Sequence, residues 1–156
     1  MQQTPYLVFK PKILTQNYLE FENLCKKYFR DFKICYSVKT NSFPGVIKTL
    51  NKIGSGFEIA SKNEINLISK TKNFVVFNGP AKTYEELKIA TKNKFLINID
   101  SKSELEKLAV ILKGKPIEVS IRISVKDSKF GFDENQLNSI IEYAKSGNIF
   151  ITGIHF

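Results

Sequence analysis

The sequence predicts an α/β fold, an incomplete (β/α)8 TIM-type barrel comprising about the first six strands, and three observations carry the prediction. Short apolar runs of strand type alternate with amphipathic segments along the whole chain. One such unit recurs every ~20–30 residues, the spacing of parallel β/α architecture. In several of the runs, small residues and one ionisable group share a face. A chain of 156 residues with 42% hydrophobic and 25% charged content is long enough for one core.

The first run, "PYLVF", reads as a short strand outside the alternating pattern. "ILTQNYLEFENLCKKYFR", over 13–30, reads as a helix with Leu14, Tyr18, Phe21, Leu24 and Cys25 on one stripe. Strands then follow at 34–39, 56–60, 74–78, 95–99, 117–123 and 149–156, with helices at 43–53, 62–71, 83–93, 101–113 and 133–147. Ser61 with Glu64, Thr83 with Glu86 and Ser101 with Glu104 have the spacing of capping boxes. Gly54-Ser55-Gly56 follows a helix and precedes a strand, the reverse of a phosphate loop, and reads as a helix C-cap and tight turn. The last run, "FITGIHF", stops inside a strand, so the chain is expected to be a fragment of something longer.

The formal net charge of +9 raises the question of nucleic acid. The basic residues are nearly all lysines spread over the helical segments, and only Arg30 and Arg122 are arginines. A solvated lysine surface is the favoured reading, and nucleic acid is not an expected partner. No run of apolar residues is long enough for a membrane span. The start "MQQTPYLVFK" lacks the pattern of a secretory signal. Cys25 and Cys35 have no metal-ligand spacing and read as reduced, buried thiols of a cytoplasmic protein.

Strand alternation picks out candidate site residues. In 34–39, Ile34, Tyr36 and Val38 share the face expected to pack on helices, and Cys35, Ser37 and Lys39 share the other. In the second strand Phe57 and Ile59 face the helices and Glu58 faces away. In the fifth, Ile121 and Ile123 pack outward, leaving Ser120 and Arg122 inward. His155 shares parity with Ile151 and Gly153, which directs it inward. Lys39, Glu58 and Arg122 would thus converge at the C-terminal mouth of a barrel, where such folds place their chemistry. An open doubly wound sheet would bury both faces and leave these charges unexplained. The plainer alternative is that Glu58 and Arg122 pair with each other inside.

"YSVKTN", "GSGFEIASKNEI", "VFNGPAKT", "NIDSKSELEKL", "IRISVKDSKFGF" and "GIHF" occur in the order and spacing of one family. The chain resembles the pyridoxal-phosphate-dependent decarboxylases of the ornithine, diaminopimelate and arginine type, with their alanine-racemase-like barrel. The resemblance implies that pyridoxal 5'-phosphate is the cofactor and that Lys39 forms the Schiff base with it. A desolvated lysine loses proton affinity and so offers more neutral amine for attack on an aldehyde. It further implies that Glu58, where the family often carries Asp, lines the cofactor pocket, and that Arg122 lies beside the cofactor. Glu64 would help to order the pocket wall, although an N3 glutamate is also explained by helix capping. Lys129 matches a lysine associated with the subunit interface and the nearby active site. Asn78 and Lys82 stand where the family shows an "NPxK" pattern, from which Gly79 departs. The family's ring-stacking histidine would fall just beyond Phe156, so His155 is only a secondary candidate.

The implied function is decarboxylation of a small amino-acid substrate in polyamine or lysine biosynthesis, by a homodimeric full-length parent. A non-catalytic cofactor-binding or regulatory homologue and a racemase relative are the alternatives. The resemblance assigns residues 1–11 to a strand joining a β domain outside this chain, and 12–156 to the partial cofactor-binding barrel. The phosphate loops and the carboxylate for the pyridine nitrogen would also lie past Phe156, so the chain alone is expected to be inactive.

Overall fold

The computed structural model describes residues 5–125 and 128–156. Residues 1–4 of the expected N-terminal strand, and Lys126 and Asp127 of the "IRISVKDSKFGF" stretch, lie outside the described residues. Residues 5–10 take no regular element, and Leu7 is fully exposed.

Helix α1 (Pro11–Tyr28) opens on a proline, which is preorganised for the first helical turn and lacks only an N–H that would have no helical partner. Its half-buried stripe runs through Leu14, Thr15, Tyr18, Glu22 and Cys25. Phe21 and Leu24, expected on that stripe, fall one position off it and are 55% and 49% exposed. Both cysteines are free but half-buried rather than buried.

Six strands follow, β1 (Cys35–Ser37), β2 (Gly56–Ile59), β3 (Val75–Phe77), β4 (Leu96–Ile99), β5 (Ile117–Arg122) and β6 (Ile149–His155). Between them run α2 (Pro44–Lys52), α3 (Lys62–Leu67), α4 (Tyr84–Lys92), α5 (Lys102–Leu112) and α6 (Leu137–Ser146). All neighbours pair in parallel and the spatial order is the chain order, β1 to β6. A doubly wound sheet would reverse direction partway; sequential order is the winding of a β/α barrel, here incomplete.

The core lies between the outer face of the sheet and the helices. Phe57, Ile59, Phe77, Ile97, Ile99 and Val119 from the strands are 0% exposed, as are Leu87, Leu105 and Leu108 from the helices. The expected outward parity of the second and fifth strands therefore holds.

Three local expectations change. The first strand ends at Ser37, and Val38–Thr40 form a 3-10 turn that carries Lys39 out of the strand alternation. Pairing between β5 and β6 skips a residue, Val119 facing Ile151 and Ser120 facing Gly153. This bulge puts Ile151 on the outer face with Val119, while Gly153 and His155 remain inward. The Thr83–Glu86 capping box forms in full, and Ser61 accepts from the Glu64 N–H. Ser101 makes no side-chain cap; the Glu104 N–H donates to the Ser101 carbonyl at 3.1 Å instead.

Candidate active site

The inner face of the sheet carries most of its polar side chains, beside the apolar Val76 and Leu96. Ser37 on β1 donates through Oγ to Glu58 Oε2 on β2 at 2.5 Å. Oε1 of Glu58 is the one buried side-chain N or O atom left without a hydrogen-bond partner among the described residues. Asn98 on β4 donates through Nδ2 to Asn78 Oδ1 after β3, at 3.3 Å. Asp100, at the end of β4, accepts from Arg122 Nη1 on β5 at 3.2 Å. The Arg122 guanidinium also lies 5.0 Å over the ring of Phe130. His155 stands in register with Arg122 across the β5–β6 pair.

Glu58 and Arg122 do not pair with each other, contrary to the plainer alternative: one is held by Ser37, the other by Asp100. Both lie on the inner face by strand parity, Glu58 beside Ser37 and Arg122 beside His155. Burial, then the Arg122 cation, lower the proton affinity of His155 below the usual histidine range. The imidazole is therefore neutral at neutral pH. Burial, then the Glu58 carboxylate, push the Cys35 thiol up, so it stays protonated and unreactive. Close packing sets the far wall: a Cβ on Gly153 would come within 2.6 Å of Ser120 Oγ.

Lys39 stands just past the C-terminal end of β1, at the mouth, with its side chain exposed. The desolvated setting expected around it is absent among the described residues: Lys39 is exposed, in the 3-10 turn that follows the strand. Glu64 does not join the interior set; its Oε2 accepts from the Ala60 N–H at 2.8 Å, at the start of α3. Lys129 is exposed in the segment between β5 and α6. Lys82 is wholly buried and ion-paired with Glu104 at 3.1 Å, with both side chains 0% exposed.

Sequence reasoning missed Asp100, Asn98 and Glu104. Alternation within "LINID" puts Asn98 and Asp100 opposite Ile97 and Ile99, so the parity that identified Glu58 also pointed to these two. Glu104 carried no such signal, because its position three residues after Ser101 is that of a cap.

Residues 18–156 match the sequence model of the pyridoxal-dependent decarboxylases, pyridoxal binding domain. The chain is 31% identical to diaminopimelate decarboxylase of Aquifex aeolicus, over 97% of this chain and 40% of that protein. It is also 31% identical to antizyme inhibitor 2 of Xenopus laevis, over 78% of this chain and 29% of that protein. A solved diaminopimelate decarboxylase from Helicobacter pylori, complexed with L-lysine, superposes with a TM-score of 0.88 at 26% identity, over 99% of this chain and 44% of that one. The chain thus spans well under half the length of these relatives. A parallel, sequentially wound sheet with a largely polar inner face, matched over nearly its whole extent by that family model, places the chain in the pyridoxal-dependent decarboxylase family, in its pyridoxal-binding domain.

Proposed function

We propose that the chain is the cofactor-binding part of a pyridoxal-phosphate-dependent amino-acid decarboxylase acting on a basic or dicarboxylic amino acid, in polyamine or lysine biosynthesis. The observation that carries the reading is the unpartnered Glu58 Oε1, a buried acceptor on the inner face of the sheet that also carries Arg122 and His155. A buried acceptor left unsatisfied costs about 1–3 kcal/mol, and a bound polar group would remove that cost. The residues present fit a flat, anionic pyridine aldehyde: an acceptor in Glu58, a fixed cation in Arg122, a neutral ring in His155 and an accessible amine in Lys39.

Pyridoxal phosphate, when bound, supplies an aldehyde and an electron-accepting ring that makes loss of carbon dioxide feasible. Lys39 would hold it covalently through Nζ, and exposure of that amine at the mouth leaves it open to incoming cofactor and substrate. Ser37 fixes the Glu58 carboxylate through Oε2, so that Oε1 keeps one direction. Asp100 and Phe130 hold the Arg122 guanidinium from two sides. Neutral His155 offers one N–H and one lone pair to the same space.

The reading brings with it a homodimeric parent, with Lys129 near the subunit contact, which its exposure supports. It also brings a cytoplasmic location, which the free thiols of Cys25 and Cys35 support. The N-terminal 1–11 segment then belongs to a separate β domain; the exposed apolar side chains of Tyr6, Leu7 and Val8 support a covering partner for it. A regulatory homologue that keeps the barrel is the second reading. Similarity to antizyme inhibitor 2, a protein named for a partner rather than a reaction, favours it.

Borohydride fixation of pyridoxal phosphate followed by peptide mapping tests the central assignment. The label is expected on Lys39 alone, absent in Lys39→Ala and in Lys39→Arg, whose guanidinium stays protonated, and retained in Lys107→Ala. A label elsewhere, or one that survives Lys39→Ala, overturns it. Carbon dioxide release by the chain in its longest natural form separates the enzyme from the regulatory homologue.

A further inference from the structure

The Lys82–Glu104 pair is the one ion pair among the described residues with both side chains 0% exposed. Stability alone does not account for it. Taking two charges out of water offsets most of their attraction, and a well-packed apolar pair of similar volume serves stability as well or better. An apolar pair could not make the hydrogen bonds seen here. Glu104 Oε1 accepts from the Lys82 backbone N–H at 2.9 Å, and Oε2 accepts from the Asp100 backbone N–H at 2.9 Å. Lys82 Nζ donates to the Asn98 carbonyl at 2.5 Å and sits 5.3 Å over the ring of Phe77. The turn before Lys82 holds Ala81 in the left-handed region at φ 56°, a conformation a non-glycine residue adopts only under surrounding constraint.

These bonds tie the C-terminal ends of β3 and β4 together at the point where Asp100 leaves the sheet. Asp100, 8% exposed, then presents Oδ1 to Arg122 Nη1. We infer that Lys82 and Glu104 are positioning residues that act through Asp100 to aim the Arg122 guanidinium into the barrel interior. The inference rests on the reading that Arg122 serves a ligand there. Neither Lys82 nor Glu104 has any exposed surface with which to touch that ligand. Burial draws the Lys82 ammonium down from the usual lysine range and the Glu104 carboxylate opposes this, which fits a charge held in place by its partner.

The sequence contains only two arginines, Arg30 and Arg122, so the arginine Nε–Hε region of a nitrogen–proton spectrum holds two signals, and Arg30→Lys assigns them. In the unsubstituted chain Arg122 is expected to show slowed guanidinium rotation. Asp100→Asn should abolish it, Lys82→Met should abolish it equally, and the double variant should lose no more, since both act on one contact. Circular dichroism and thermal unfolding on the same samples establish that each variant is folded. Glu104→Gln, which keeps the shape but cannot accept both backbone N–H groups, is read the same way should Lys82→Met fail to fold.

A folded Lys82→Met or Glu104→Gln with the Arg122 signal unchanged overturns the inference, as does an Arg122 that already rotates freely in the unsubstituted chain. Pyridoxal phosphate titration of the same variants in the chain's longest natural form is expected to show a weakening of about tenfold in Lys82→Met, the size of one charge-assisted hydrogen bond. If Arg122 responds as expected while even that longest form binds no pyridoxal phosphate, the positioning stands and the proposed function fails.

Discussion

Two β/α junctions of this barrel carry almost the same five residues. After β2 stands Ser61-Lys62-Asn63-Glu64-Ile65, and after β4 stands Ser101-Lys102-Ser103-Glu104-Leu105. Both glutamates reach back to the backbone N–H just before the serine, Ala60 in one case and Asp100 in the other. Both lysines reach to the following helix, Lys62 to Glu85 and Lys102 over the ring of Tyr143. The fates of the glutamates still diverge. Glu64 remains half-exposed beside a serine cap, whereas Glu104 is fully buried, its serine unused. The difference comes from one neighbouring loop, 78–83, which abuts both junctions. It presents Gly79 to the carbonyl of Ala60 and Lys82 to Glu104. A local motif sets the reach of the side chain; the loop packed against it decides whether that reach ends as a cap or as an ion pair.

The most severe way to break this comparison is to truncate each glutamate in turn. Glu104→Ala leaves the Lys82 ammonium buried without its carboxylate, a loss of about 3–5 kcal/mol. Glu64→Ala removes an N-terminal acceptor that is partly solvated, a loss of about 1 kcal/mol. Chemical denaturation of both variants reads the difference directly, and equal losses would show that the two junctions are energetically one motif after all.

A smaller effect is expected on the other side of the shared loop. A Cβ on Gly79 would overlap the Ala60 carbonyl, and the obstacle is backbone, not a side chain that can swing aside. Gly79→Ala should therefore destabilise by about 1–3 kcal/mol, the range for overpacking a tight site. A fully stable Gly79→Ala, judged by its denaturation midpoint, would mean that the loop presses on the β4 junction alone.

The mildest probe sharpens the comparison electrostatically. His155, the single histidine in the sequence, feels the carboxylate of Glu58 from the β2 side and that of Asp100 from the β4 side, both raising its proton affinity against burial and Arg122. By proton NMR it should titrate below 6.5. Glu58→Gln should lower it further, and Asp100→Asn by less. Because the folded value lies below the unfolded one, the unfolded chain binds more protons in the window between them. His155 thus makes stability rise with pH up to about 6.5, a slope that His155→Gln should flatten. A larger shift from Asp100→Asn than from Glu58→Gln would reverse the assigned ranking of the two sides.

Much of this architecture was legible in the residues. The alternation of strands and helices and the outward placement of Phe57, Ile59 and Ile121 follow from periodicity, a property of neighbours a few residues apart. The inward placement of Glu58, Arg122 and His155 follows from the same rule. On α1 the stripe through Leu14, Tyr18 and Cys25 was legible, but Phe21 and Leu24 were wrongly added to it, because both are apolar enough to join either of two adjacent helical rows. Ile151 was misplaced because a single skipped residue in the β5–β6 pairing reverses every face upstream of it, and no local pattern marks the skip. Lys39 was read as the last inward residue of a strand, yet the backbone turns into a 3-10 conformation one residue earlier, at Val38.

The order of the elements, the barrel winding they favour and the chemical character of each strand face were determined by the sequence itself, since each depends on spacing along the chain. Only the tertiary structure decided who holds whom across the inner face. Arg122 took Asp100 rather than Glu58, Glu58 took Ser37, and Glu104 gave up its serine for Lys82. Those partners lie 21 or 22 residues apart, one β/α unit along the chain. Which carboxylate meets which cation at that separation depends on the register of neighbouring strands and on the path of the loops between them. It is settled when the sheet closes side by side, because a buried charge must be paired by whatever group the packing brings within reach.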